Sequence, residues 1–393
     1  MTAVEVCWLI VAVLGLAYAC VQTWGTWRVV RGIPVLAEDG SPVPAGWPRV
    51  SLIVPARDEE ATLGPAVRSR LDEGYPALEV VLVDDRSTDG TAALVDAHAA
   101  EDPRIRAVHV TSLPAGWLGK LNALREGLER ASGEWVLFSD ADVHLAPGAL
   151  RRAMAYAEAH GLDHLSILPE LLPVHWLVDA ALASFSRTGL VIGRVWRIAD
   201  PRSRVGGSVG AFSLFRRSAL DRSPGLEHLR LEVADDLALG QMLKASGARS
   251  AVLNGRGLVL LAYHRSLAEM ARSSEKAAML FDYRMLPALA WALSLTALEL
   301  GSFAAAVFAP NLSARILGDV GIALLLGSTA VMCRFAGQRT RAALLSPLGV
   351  VFNAVLLIRA AWLARIRGGL LWRKTLYPPE VLRPGRRVKA PWA

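Results

Sequence analysis

Three apolar runs each end in carboxylates, and that repetition constrains the fold of this chain more than any other feature. Residues 49–55 lead into Arg57, Asp58, Glu59 and Glu60, residues 78–83 into Asp84 and Asp85, and residues 133–139 into Asp140, Ala141 and Asp142. Short β-branched runs bounded by turn residues read as buried strands, and helical patterns between them, the first starting near Thr62, give an α/β domain with a mostly parallel central sheet. In such sheets ligands bind outside the carboxyl ends of the strands, where helix amino termini point N–H groups at anions. Three acidic strand ends therefore predict one shared crevice.

The third strand end carries the most chemistry. Residues two apart on a strand project to the same side, so Asp140 and Asp142 are expected to reach one divalent cation together. Hard oxygen ligands suit Mg²⁺ or Mn²⁺ carrying a nucleotide diphosphate. A solvated Asp-x-Asp turn is the alternative, as turn and capping chemistry is for Asp84 and Asp85. Further on, Asp235 and Asp236 precede a helical stretch, residues 237–245. Adjacent acids repel, and partial burial would raise one pKa, which suits a general base; acids also favour a helix amino terminus, and the two roles are compatible.

Taken in order, these segments resemble glycosyltransferase family 2, inverting enzymes with a nucleotide-binding A-type fold, over about residues 49–285. Pro55, Ala56, Arg57 and Glu59 resemble the family's opening nucleotide loop, with Asp58 where Asn is more usual. Asp84 and Asp85 resemble the uracil-binding acidic loop, Lys120 in the Gly119-Lys120 segment the nucleotide-side lysine, and Asp140 with Asp142 the metal motif. Residues 234–240 are similar to the family's Glu-Asp-x-x-Leu-Gly box, with Asp235 for Glu and Asp236 at the general-base position. By the same resemblance residues 206–217, including Gly210, form the acceptor-side strand, and His264 and Arg265 contact diphosphate. The implied reaction moves a sugar from a nucleotide-diphosphate donor to an acceptor hydroxyl, with Mg²⁺ or Mn²⁺ as cofactor. No Gln-x-x-Arg-Trp string occurs, which favours single transfer to a lipid over polymer synthesis, and the layout most resembles hopanoid-associated and carotenoid-type membrane enzymes. A polysaccharide synthase and an inactive nucleotide-sugar-binding membrane protein are the alternatives.

Composition places the domain at a membrane. The chain has 393 residues, 53% of them hydrophobic, which leaves room for a catalytic domain over 49–284 and apolar spans on either side. The stretch from Val6 to Trp27 is uncharged, preceded by Glu5 and followed by Arg28 and Arg31. That order predicts an anchor within residues 1–30 with its carboxyl side in the cytosol, although Ala17-Tyr18-Ala19 also resembles a signal cleavage site. Beyond the domain, segments 285–314 and 316–333 are apolar apart from Glu299 and Asp319, and segment 342–358 is uncharged. They predict transmembrane or re-entrant helices over 285–366, the last two segments being marginal in length.

Residues 359–393 hold nine Lys or Arg against Glu380 alone, so the formal charge of +7 belongs to the tail. A basic tail, 367–393, is expected in the cytosol, yet three full crossings would place it outside, so one segment is expected not to cross. Beside lipid spans and without an aromatic platform, such a tail fits anionic membrane lipids and not nucleic acid. Cys7, Cys20 and Cys333 all fall in apolar segments and read as packing residues. Within the domain, Val174, Leu177, Val178, Ala181, Leu182 and Phe185 recur at helical spacing, a core stripe or, with Trp176, Arg187, Arg194 and Trp196, a lipid-interface helix.

Overall fold

The computed structural model describes residues 1–373 and 375–389. It divides into an α/β unit (Ile33–Leu172, Val195–Ala262 and the stretch from Pro384) and a helical unit (Met1–Gly32, Pro173–Arg194 and Tyr263–Arg383). Of the predicted basic tail, Lys374 and residues 390–393 lie outside the described residues.

Helix α1 (Ala3–Gly32) opens the chain. Strand and helix then alternate through β1 (Val50–Ala56), α2 (Leu63–Leu71), β2 (Leu78–Asp85), α3 (Thr91–Glu101), β3 (Ile105–Val110), α4 (Gly119–Arg130) and β4 (Trp135–Phe138). Helical crossovers make parallel neighbours, and β3, β2, β1 and β4 lie side by side in that order, all parallel. The short β5 (His144–Leu145), α5 (Ala149–Ala159), β6 (His164–Leu168), β7 (Glu170–Leu171) and α6 (Trp176–Ile192) follow. Then come β8 (Ser213–Arg216), α7 (Arg217–Asp221), α8 (Gly225–Leu229), α9 (Asp235–Ala245), β9 (Ser250–Asn254) and β10 (Val259–Leu261). Strand β8 runs antiparallel between β4 and β6, and β9 closes the seven-stranded sheet beside β6.

The central strands β1, β2 and β4 are buried at every position, as helices on both faces require, and so is β9 at one edge of the sheet, whereas β3 at the other edge is buried only at intervals. Pro55 lies inside β1, opposite Val83 of β2. It is tolerated because pairing with β4 stops at Ile53, so the lost donor falls beyond the doubly paired stretch.

Residues 206–212 precede β8 and form no strand, and close packing accounts for Gly206 and Gly207 there. An added Cβ on Gly206 would press on the backbone of Gln241 and Gly240, and one on Gly207 on Leu237, all on α9; one on Gly240 would land inside contact distance of the Gly207 carbonyl. Backbone offers no room to give. We expect Gly240→Ala to cost about 1–3 kcal/mol, the range for overpacking, and to lower the unfolding temperature of the purified protein; unchanged stability would contradict this account of the contact.

In the helical unit α10 (Leu267–Ser273) precedes α11 (Met285–Phe308), α12 (Leu312–Phe335) and α13 (Ser346–Arg367). Among the described residues α1, α11, α12 and α13 are long and apolar enough to cross a membrane. The last two helices are therefore not marginal in length, at 24 and 22 residues. Small residues let α1 and α12 approach α11: a Cβ on Gly15 would strike Ser302, and one on Gly318 the backbone of Ala306. On α6 the predicted stripe is buried at Val178, Ala181 and Leu182, but Phe185 is 56% and Trp176 53% exposed. Arg187 is fully buried and paired with Glu299 of α11, so it does not serve the headgroup contact considered for it.

Candidate active site

The loops after β1 and β2 knit together outside the sheet. Asp58 sits at φ 55°, a left-handed conformation that Asp and Asn tolerate best, and its Oδ1 accepts from the Thr88 N–H at 2.7 Å. The Glu59 N–H donates to Thr91 Oγ1 at 2.8 Å and the Gly90 N–H to Glu60 at 3.1 Å. Glu59's own carboxylate accepts from Thr62 Oγ1 at 2.6 Å, at the start of α2. Asp84 and Asp85, both buried, end β2. Asp85 pairs with Arg86 at 2.8 Å and faces Arg57 at 3.9 Å, while Asp84 accepts from the Ser87 N–H at 3.2 Å. Turn chemistry and a cation-lined acidic site are thus both present here.

The amino terminus of α4 comes against this cluster at Gly119, where a Cβ would strike the Asp85 carboxylate. The next residue, Lys120, joins the acidic loops. Its Nζ lies 2.8 Å from Asp140 Oδ1 and 3.0 Å from Asp235 Oδ2. Burial alone would push the ammonium pKa down, but Asp140, Asp235 and Asp236 together hold it above its usual value. Burial pushes the Asp235 carboxyl up, with Lys120 opposing it.

Asp236 is held differently. One carboxylate oxygen accepts from the Gly210 N–H at 2.8 Å and the other from the Leu237 N–H at 2.7 Å. Gly210 also carries the Asp140 N–H on its carbonyl at 3.0 Å, and an added Cβ there would meet the Asp140 carboxylate. The glycine is needed for this close approach. Pro55, Lys120, Asp140, Gly210, Asp235 and Asp236 line one pocket.

Strand alternation does not aim Asp140 and Asp142 as expected, because β4 stops at Phe138 and both residues lie beyond it, Asp142 in the following turn. Arg70 of α2, fully buried, fixes that turn by donating to the Asp140 carbonyl and, at 3.3 Å, to Ser139 Oγ. Burial lowers its pKa to about 10, with Asp142 and Asp140 opposing, and its Nε and Nη1 have no hydrogen-bond partner. Sequence reasoning missed Arg70. The available signal was a cation three and four residues after Val67 and Ala66, on the buried stripe of α2.

Among the described residues no group of three or more His, Cys, Asp or Glu is placed to hold a metal ion. The donor set nonetheless fits Mg²⁺ or Mn²⁺: two carboxylates supply hard oxygens, and a nucleotide diphosphate supplies further ones. His264 and Arg265 belong to the helical unit. His264 lies 3.2 Å from Ser273 Oγ, and burial beside Lys276 lowers its pKa to about 4, so the ring is neutral at pH 7. The Arg265 N–H donates to Glu269 at 3.1 Å.

A parallel-centred sheet with acidic strand ends around one lysine defines a nucleotide-sugar transferase fold of the A type. Residues 51–172 match the glycosyl transferase family 2 model, so the chain carries a domain of that family. The match is shorter than the expected 49–285 and leaves Gly210, Asp235 and Asp236 outside it. Over 125 residues the chain is 38% identical to a beta-monoglucosyldiacylglycerol synthase of Synechocystis, covering 31% of this chain and 25% of that protein. Over 118 residues it is 34% identical to a GalNAc(5)-diNAcBac-PP-undecaprenol beta-1,3-glucosyltransferase of Campylobacter jejuni, covering 30% and 37%. The chain thus spans about a quarter to two fifths of these relatives. A mannosyltransferase from Pyrobaculum calidifontis, solved with GDP-Man and Mn²⁺, superposes with a TM-score of 0.55 at 21% identity over 91% of this chain and 99% of that one. At that identity the likeness is one of fold.

Proposed function

We propose that the protein transfers a sugar from a nucleotide-diphosphate donor to a hydroxyl of a lipid acceptor, with inversion. The observation that carries this reading is the pocket in which Asp236, fixed by two backbone N–H groups, faces the Lys120 and Asp140 pair. The names of the relatives support a lipid-linked acceptor, and within that class a hopanoid or carotenoid type follows from the layout of anchor, domain and apolar carboxyl region.

In this mechanism Asp236 takes the proton of the acceptor hydroxyl as the sugar moves. Its two N–H partners orient the carboxylate and leave lone pairs for the incoming proton. Lys120 supplies positive charge beside the departing diphosphate, and its bond to Asp235 holds the base box against the donor side. The acidic loop at Asp84 and Asp85 with Arg57 receives the nucleotide. Asp140 and Asp142 would hold Mg²⁺ or Mn²⁺, which neutralises charge on the leaving diphosphate when bound.

The α/β unit faces the cytosol on this reading, since Arg28 and Arg31 follow the first span, and the basic residues after Arg359 meet anionic lipids. The test is release of nucleoside diphosphate by the purified protein in nanodiscs, with a panel of nucleotide sugars and with or without membrane lipid extract. Release that rises with the extract supports a lipid acceptor; release indifferent to it overturns that assignment.

A further inference from the structure

The chain after Pro384 belongs to the α/β unit, and its bonds to that unit are specific. The Arg387 and Val388 N–H groups both donate to the Glu232 carboxylate, the Lys389 N–H donates to Gln241 Oε1 at 2.9 Å, and the Gln241 amide returns a bond to the Lys389 carbonyl at 3.0 Å. Gly385 packs so closely on Leu231 that a Cβ would collide with it. A segment bound in this way must lie on the same side of the membrane as the α/β unit. Between Ala262 and Pro384 the chain therefore crosses an even number of times.

Helices α11 and α12 account for two crossings, because only Ala309, Pro310 and Asn311 separate two 24-residue apolar helices. A third crossing would put residues 384–389 on the wrong side. Packing identifies α13 as the helix that stays. Its first half lies on α6, which follows Leu172 and hands back to the α/β unit at Val195, so α6, at 17 residues, does not cross. A Cβ on Gly349 would strike the Ala180 carbonyl, and the Asn353 amide donates to the Ala181 carbonyl at 2.9 Å. Leu356 shares a cluster with Val178, Leu182 and Met270. The second half lies on α10 and the turn after it: Arg359 donates to the Ala271 carbonyl at 2.8 Å, Arg359 and Arg367 hold Glu275 at 3.1 and 2.7 Å, and Ala360 and Ala364 pack on Ala278. The other face exposes Leu348, Val351, Val355, Trp362 and Ile366.

We propose that α13 lies along the lipid leaflet on the α/β unit's side, its stripe from Leu348 to Ile366 seated among acyl chains and its arginines turned to Glu275 and the headgroups. This rests on reading α1, α11 and α12 as spans but not on which side is cytosolic. A helix of about 33 Å is long enough to cross, so length does not decide the matter; the tail and the packing do.

The experiment uses the full chain with Cys7, Cys20 and Cys333 replaced by Ala, single exposed cysteines Glu101→Cys, Pro310→Cys and Arg386→Cys, and a membrane-impermeant maleimide on intact cells and inverted vesicles. Arg386→Cys is expected to label with Glu101→Cys and opposite to Pro310→Cys. If the orientation reading is wrong, all three exchange sides together and the proposal stands. Labelling of Arg386→Cys with Pro310→Cys overturns it. Spin labels at 348, 355 and 366 in nanodiscs give a second readout: equal depths are expected, whereas a crossing helix would spread them over about 27 Å.

Discussion

Asp236→Asn is expected to lower sugar transfer by roughly 10²–10⁴ while leaving donor affinity nearly unchanged, because the amide cannot take the acceptor proton. Asn is not a silent replacement here. Both carboxylate oxygens of Asp236 accept backbone N–H bonds, so the amide nitrogen must face one donor, and some loss of local order accompanies the loss of the base. Donor binding measured beside transfer separates the two effects. Asp235→Asn should cost less, since Lys120 keeps Asp140 as its partner. If Asp235→Asn is the dead enzyme and Asp236→Asn the active one, the base is Asp235; if both remain active, this helix start is not catalytic.

Chelation is expected to be the second large effect. Transfer and donor hydrolysis should collapse in excess EDTA and return with Mg²⁺ or Mn²⁺, and Asp142→Ala should weaken donor binding as well as turnover. Removing Asp142 also leaves the buried Arg70 guanidinium with one fewer opposing charge, so a thermal unfolding measurement belongs beside the kinetics. A folded Asp142→Ala protein that binds donor normally, or full activity of the wild type in EDTA, would falsify the metal role of this turn.

Much of the α/β unit was legible because β1, β2 and β4 are largely apolar runs, the pattern of a sheet covered on both faces. The site was legible as a set of acids but not as a geometry. Sequence spacing suggested that Asp140 and Asp142 share a strand face, whereas the strand ends before both, and only the folded chain brings Lys120 between Asp140 and Asp235. Arg70 escaped notice because a lone arginine in a helix says nothing until burial shows what it holds. The carboxyl tail was legible as basic, and its place on α9 and the loop before it was not, because hydrogen bonds from Arg387, Val388 and Lys389 to Glu232 and Gln241 join positions far apart in sequence.

The measurement that bears most directly on the central claim is incorporation of a radiolabelled sugar from nucleotide donors into extracted lipid, using membranes that carry the wild-type chain or Asp236→Asn. The account predicts one labelled lipid, of a size fixed by single addition, present with the wild type and nearly absent with the substitution. Label confined to water-soluble polymer, or lipid labelled equally in both membranes, would contradict it.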